Sequence, residues 1–214
     1  MDGVTSNRRA AADAVVLDLP SLVAGIPAPP DPSLDPYLDA AARCFARHGV
    51  SRCSVQDIAA DLKVSRATVY RQIGNVEAAV RLLLARELHR LLSEMPSVLA
   101  PPLGPQTIID LVAGIVTFAR HHPVLEKVLR DEPELIGPFL VTDLDELIGR
   151  VVGAVAPLLS SAMDAGWLAR RDPDVVADWL VRLAISLVLA PPKGPLADHL
   201  GELLVPALTP EVTS

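Results

Sequence analysis

The stretch from Ser54 to Arg71, SVQDIAADLKVSRATVYR, restricts the fold more than any other part of the chain. Val55, Ile58, Ala59 and Leu62 fall at i, i+3, i+4 and i+7, which puts four apolar groups on one helical face. Ser54 is placed to cap that helix, and Asp57 stands in its first turn near the positive end of the dipole. Lys63-Val64 breaks the pattern, Ser65 caps again, and Val69 and Ile73 lie one turn apart on a second, shorter helix. Two short helices joined by a turn of three or four residues describe a helix-turn-helix.

With Val69 and Ile73 against the core, Ala67 and Arg71 point away from it at about 100° per residue. Thr68 and Tyr70 flank them, and Arg66 occupies the first turn. These side chains suit a helix lying in the major groove of DNA. Arg can bridge the acceptors of guanine, Thr can touch a thymine methyl or a phosphate, and the Tyr hydroxyl can reach a phosphate. The expected DNA-contact set is Ser54, Ser65, Arg66, Ala67, Thr68, Tyr70 and Arg71. An ordinary helical hairpin with a polar outer face would share this spacing.

Further marks surround the motif: AA, F and HG between 41 and 49, SVQDIA at 54 to 59, VSRATVYR at 64 to 71, and NVEA opening the next helix. On these, residues 37 to 84 resemble the DNA-binding region of the TetR family of transcriptional regulators. The resemblance implies an all-α homodimer. Its N-terminal helix-turn-helix domain would bind double-stranded DNA, and its C-terminal helical domain would dimerise and take an effector. Three positions depart from the family pattern. Lys63 stands where Gly is usual, so a left-handed backbone there would cost about 1 kcal/mol. Ile73 replaces an aromatic residue, and Val76 replaces a Lys that would contact phosphate.

The net charge of −7 seems to oppose DNA binding, but its distribution does not. Residues 36 to 90 carry nine Lys and Arg against five Asp and Glu, and both flanks are acidic. The basic segment is the local footprint that phosphate binding requires. Half the residues are hydrophobic and only 3% aromatic, which predicts an aliphatic, alanine-rich helical core. The longest apolar stretch, LAISLVLA at 183 to 190, falls short of the roughly 18 residues of a membrane span. No membrane partner is expected, and no secretory leader is evident. Cys44 and Cys53 fit a reducing cytoplasm, with no metal-ligand spacing. They read as small core residues, with a redox-sensing pair as the alternative. No nucleophile motif or phosphate loop appears, so neither an enzyme nor a cofactor is expected.

In chain order, residues 1–35 read as a flexible extension, with a short helix around Ala10 to Leu17 and a proline-rich linker; Arg8 and Arg9 could touch a DNA backbone from a mobile arm, but a disordered tail is the favoured reading. Residues 36–84 form the helix-turn-helix domain, and 85–214 the effector and dimerisation domain. Asp35 and Asp39 stand where relatives carry basic residues. Helices are expected at 36–48, 76–95 and 106–121, then a short one between the proline breaks of HHPVLEKVLRDEPELIGPFL, and at 140–165, 173–189 and 196–208, with Pro157 kinking or dividing the one at 140–165. Phe118, His122, Phe139, Met163 and Trp167 are candidate walls of a pocket for a small apolar effector. His122 and Glu126, one turn apart, could also form a polar or metal contact, although a helix C-terminus accounts for histidines equally well. Val176, Trp179, Leu180, Leu183, Leu187, Leu200, Leu203 and Leu204 are the expected dimer interface, since in the family the last two helices pair into a four-helix bundle. The expected function is a ligand-responsive repressor binding a palindromic operator as a dimer. The alternative is a helical small-molecule-binding protein with weak or lost DNA binding.

Overall fold

The computed structural model describes residues 28–94, 102–142 and 144–210, and among them every regular element is helical. The elements are α1 (Asp35–His48), α2 (Val55–Leu62), α3 (Arg66–Ile73), α4 (Val76–Glu94), α5 (Pro105–His121), α6 (Pro123–Asp131), α7 (Ile136–Thr142), α8 (Leu144–Asp164), α9 (Pro173–Leu189) and α10 (Leu196–Leu208). Short 3-10 turns at Pro32–Leu34 and Pro133–Leu135 precede α1 and α7. The expected helix at Ala10 to Leu17 and the arm at Arg8 and Arg9 lie outside the described residues.

The described residues divide into two compact units. One takes residues 28–94, 115–142 and 144–147, and the other takes residues 102–114 and 148–210. In the first, α1 packs against α2, α3, α4 and α6. Its core holds Leu38, Phe45, Ile58, Ala59, Val69, Ile73, Ala79 and Leu83, with Leu34 and Val124 packed on it from the sides. Phe45 and Leu38 are fully buried, and each contributes about 2–3 kcal/mol by leaving water. Cys44 and Cys53 are both buried and form a disulfide with a Cα–Cα distance of 6.0 Å. That corrects the expectation of two free core thiols. Their sequence separation of 9 says nothing of distance, which the antiparallel return of the chain after Gly49 sets.

In the second unit, Asp172 caps α9 through the backbone N–H groups of Asp174 and Val175. The Ala169 N–H donates to Leu208 O at 2.8 Å and ties the link before α9 to the end of α10. Gly166, at φ +75°, stops α8 where the sequence placed a stop. The expected helix from 140 to 165 falls in two elements, α7 ending at Thr142 and α8 beginning at Leu144. Pro157 lies inside α8 without dividing it. At 21 residues and a mean hydropathy of 1.3, α8 is long and apolar enough to cross a membrane by length and composition alone. The sequence reading missed this because Asp145, Glu146 and Arg150 interrupt the run. Ile148, Ala156, Leu159, Ala162 and Met163 of α8 are buried, as in the core helix of a folded domain.

Five of the expected interface residues are buried within the single chain: Val176, Leu180, Leu187, Leu200 and Leu204. Their side chains pack within the chain's own core, since periodicity identifies an apolar face but not what covers it. Leu183 is half-buried, and Trp179 and Leu203 are 41% and 47% exposed. Val175, Leu189 and Val205 add further exposed apolar surface on the same two helices.

Candidate nucleic-acid interface

Ser54 takes an extended backbone and caps α2. Its Oγ accepts from the Asp57 N–H at 3.3 Å and donates to Asp57 Oδ2 at 2.6 Å, while the Ser54 N–H donates to the same carboxylate at 2.9 Å. This capping box satisfies donors that the helix start leaves open. The Ser54 hydroxyl, followed by its backbone N–H, holds the Asp57 carboxyl below the usual carboxylate range. The hydroxyl expected to face DNA is therefore already engaged within its own helix.

α2 ends at Lys63, whose φ of 56° and ψ of 38° are left-handed. Lys63 N–H donates to Ala60 O at 3.2 Å and Val64 N–H to Ala59 O at 3.0 Å. These two bonds form a Schellman closure, which leaves the chain poised for the next cap. Ser65 then caps α3 by accepting from the Thr68 N–H at 3.1 Å, and its Oγ lies 2.8 Å from Thr68 Oγ1. Gly74, at φ +72°, stops α3, and Asn75 caps α4 by accepting from the Ala78 N–H at 2.8 Å.

The two faces of α3 separate as the wheel required. Val69 and Ile73 are buried, while Ser65, Arg66, Ala67, Tyr70 and Arg71 are exposed and Thr68 is half-buried. Tyr70 is 57% exposed. An open cleft of about 430 Å³ runs along this surface, lined in part by Ser54, Gln56, Arg66, Tyr70, Asn75 and Glu77. Gln56 is a contact candidate that sequence reasoning passed over. It follows the α2 start by one residue, and its exposure next to Arg66 was not readable from the apolar spacing. Glu77 adds an acid to the same rim, with Asn75 Nδ2 at 3.4 Å. A second cleft, about 260 Å³, gathers Arg47, His48, Arg52 and Lys127 around Asp57. It is the densest positive surface among the described clefts.

Asp35 and Asp39 do not stand as free acids near DNA. Arg86 of α4, itself 7% exposed, donates to Asp39 Oδ1 at 2.8 Å and to Asp35 Oδ1 at 3.2 Å, and lies against Glu87. Burial lowers the Arg86 pKa, but the bonds to Asp39 and Asp35 and the Glu87 charge outweigh it and raise the net value.

The five effector candidates fall in different units. Phe118 and His122 are half-buried in the unit that holds α3, and Met163 and Trp167 belong to the other. The Phe139 side chain lies outside the described ones. Neither of the two clefts is lined by any of these residues. The His122–Glu126 side-chain pair does not form. Glu126 bonds Arg130 at 3.0 Å, whereas His122 occupies the cap position of α6 and points to Glu87, with Nε2 at 3.9 Å. Burial, opposed by the Glu87 charge, lowers the His122 pKa. The described residues place Cys44, Cys53 and Asp57 close together, but the disulfide consumes both thiols and the capping box takes the carboxylate, so the trio offers no metal site.

Residues 38–75 match the family model described as "Bacterial regulatory proteins, tetR family". An uncharacterized HTH-type transcriptional regulator of Mycobacterium tuberculosis (strain CDC 1551 / Oshkosh) is 30% identical over 186 residues, covering 82% of this chain and 85% of that protein. Among solved structures, the TetR family repressor AlkX from Dietzia sp. strain DQ12-45-1b, implicated in biodegradation of n-alkanes, has a TM-score of 0.57 at 22% identity and covers 84% of this chain and 96% of its own. The SmeT–triclosan complex has a TM-score of 0.59 at 19% identity, covering 84% and 92%. With its helix-turn-helix, its all-helical fold and a relative of this similarity over most of both chains, the protein belongs to the tetR family of bacterial regulatory proteins, DNA-binding regulators of transcription.

Proposed function

We propose that the chain acts as a homodimeric repressor. Two copies of α3 enter successive major grooves about 35 Å apart on a palindromic operator. Occlusion of the promoter represses, and a small apolar effector held by residues 85–214 favours a conformation with misplaced heads and lowers operator affinity. The observation that carries the reading is the separation of α3 into a buried aliphatic side at Val69 and Ile73 and an exposed side at Arg66, Ala67, Tyr70 and Arg71. SmeT, a protein of this fold described in complex with triclosan, supports a small-molecule effector. The dimer contact falls on the apolar groups that α9 and α10 leave exposed, chiefly Trp179 and Leu203.

Enrichment of bound sequences from a random DNA pool, followed by titration across salt, tests the reading. The expected product is an inverted repeat bound at submicromolar concentration. Arg71→Ala combined with Tyr70→Phe should weaken binding at least tenfold, and an unchanged affinity removes α3 from the groove. Failure of the wild-type chain to enrich any sequence favours a ligand-binding protein that has lost its operator, a reading to which Val76 and the rim acid Glu77 give some weight.

A further inference from the structure

One buried carboxylate joins the end of α6 to the turn in front of α2. Glu132 follows α6 with φ −138° and ψ 45°, and its N–H still donates to Val128 O at 3.0 Å. Its residue is 3% exposed. Each carboxylate oxygen takes a different backbone amide. The Val50 N–H donates to Oε2 at 2.6 Å and the Ser51 N–H to Oε1 at 2.9 Å, across 82 and 81 residues of chain. Gly49 makes room for this contact. Its φ is +90°, and a Cβ there would lie 2.6 Å from Cδ and from Oε2 of Glu132. Glycine at 49 is thus required by the backbone and again by the carboxylate.

A charge shielded from solvent is costly unless its oxygens are satisfied. Two successive amides turned to one side form a concave anion site, and ionic hydrogen bonds are roughly twice as strong as neutral ones. Burial raises the Glu132 carboxyl, but the bonds from Ser51 and Val50 and the nearby positive charge of Arg52 outweigh it, so the group is held below its usual range. The clamped turn leads straight into the reading surface. Cys53 is fixed to Cys44 of α1, and Ser54 is the cap of α2, on which α3 packs. Glu132 lines neither cleft.

We propose that Glu132 is a positioning residue for operator binding: its carboxylate, by holding the Val50 and Ser51 amides, sets where the turn delivers Ser54 and hence the tilt of α2 and α3. This rests on α3 being the groove helix.

The test uses the full chain and the DNA that the wild-type protein enriches. Glu132→Ala, Glu132→Gln and Glu134→Gln are compared, the last at an exposed acid two residues on. All three remove one negative charge, and a purely electrostatic role would make all three bind DNA slightly tighter. Positioning gives a different order. Glu132→Ala weakens binding at least tenfold, Glu132→Gln falls between it and wild type because its carboxamide oxygen still accepts one amide, and Glu134→Gln binds as wild type or tighter. The slope of affinity against salt stays unchanged, because no phosphate contact is lost. Hydrogen exchange speeds up at residues 50–57 in Glu132→Ala while other helices keep their protection. Equal affinity of Glu132→Ala and wild type overturns the positioning role, as does a loss accompanied by faster exchange along the whole chain. If Glu132→Ala does not fold, Glu132→Gln decides alone, with affinity at or above wild type overturning the role. A wild-type chain that enriches no DNA overturns the groove reading before any variant is made, and this role with it.

Discussion

Arg86 Nη1 lies 2.8 Å from Asp39 Oδ1, joining the middle of α4 to the first turns of α1. The same nitrogen reaches Asp35 at 3.2 Å, so two half-exposed acids share one buried cation. Replacing Arg86 by Met keeps the aliphatic stem but leaves both acids without their donor. Charged hydrogen bonds of this kind are worth about 1.5–3 kcal/mol, and the exposure of the acids argues for the lower half of that range. A fall of about 2 kcal/mol in urea unfolding is expected, or roughly 4–8 °C in Tm. Arg86→Lys should recover only part of it, since an ammonium cannot form the same fork.

Lys63 sits at the left-handed stop of α2, the only positive-φ residue other than glycine among those described. Lys63→Gly relieves a side-chain clash of about 1–2 kcal/mol and gives some back through a freer unfolded chain. A net gain of about 0.5–1 kcal/mol is expected by thermal unfolding, and a loss of stability would show that Lys63 makes a contact worth more than its strain.

Four carboxyls among the described residues are held below their usual range, those of Asp31, Asp57, Asp131 and Glu132, and they predict an acid limb in the stability curve. For Asp57 the leading cause is the Ser54 side chain, and for Glu132 the amide bonds overcome burial. A carboxyl lowered on folding adds stability that is present above its unfolded value and is lost as pH falls through the lower folded value. The loss should therefore appear below about pH 4. Ser54→Ala, which removes the cap, is expected to cost about 1 kcal/mol at neutral pH and to flatten that limb. Chemical unfolding from pH 7 down to 3 measures both.

At the DNA surface, Arg71→Ala should cost about 1–3 kcal/mol and relax preference at one base position. Arg52→Ala, in the basic cleft, should weaken all sequences alike and lower the salt slope by about one. The reverse pattern in a salt titration would exchange their roles.

Trp179→Asp with Leu203→Glu places charge on the apolar groups that α9 and α10 leave in water. The expected result is a monomer by sedimentation with its helical content intact and operator affinity reduced. Val176→Asp, at a buried site, should instead unfold the unit. Persistent dimers in the double variant would place the contact elsewhere.

Much of this was readable in the residues themselves. The bounds of α9 and α10 follow from Asp172-Pro173 and Pro195, and the outward row of α3 follows from Val69 and Ile73 alone. What the sequence concealed was long-range. Arg86 looks like a solvated charge because nothing nearby in the chain announces Asp35 and Asp39 as its acceptors. Glu132 sits before Pro133 and reads as a helix break. Cys44 and Cys53 meet because α1 stops at Gly49 and the turn that follows brings Cys53 back against it. Leu200 and Leu204 have the spacing of an interface and the surroundings of a core. In each case the local pattern fixed the side chain's type, and a partner distant in sequence decided its use.

The unit that carries α3 is drawn from two separate stretches, with α6 packed on α1 and Val124 set against the same core as Phe45. A contiguous N-terminal piece therefore loses the packing of α6 on α1. A fragment ending at Glu94 would lack the lid over α1 and would expose its oily underside to water. A chimera that grafts this head onto another sensor keeps the underside of α1 covered when α6 travels with it.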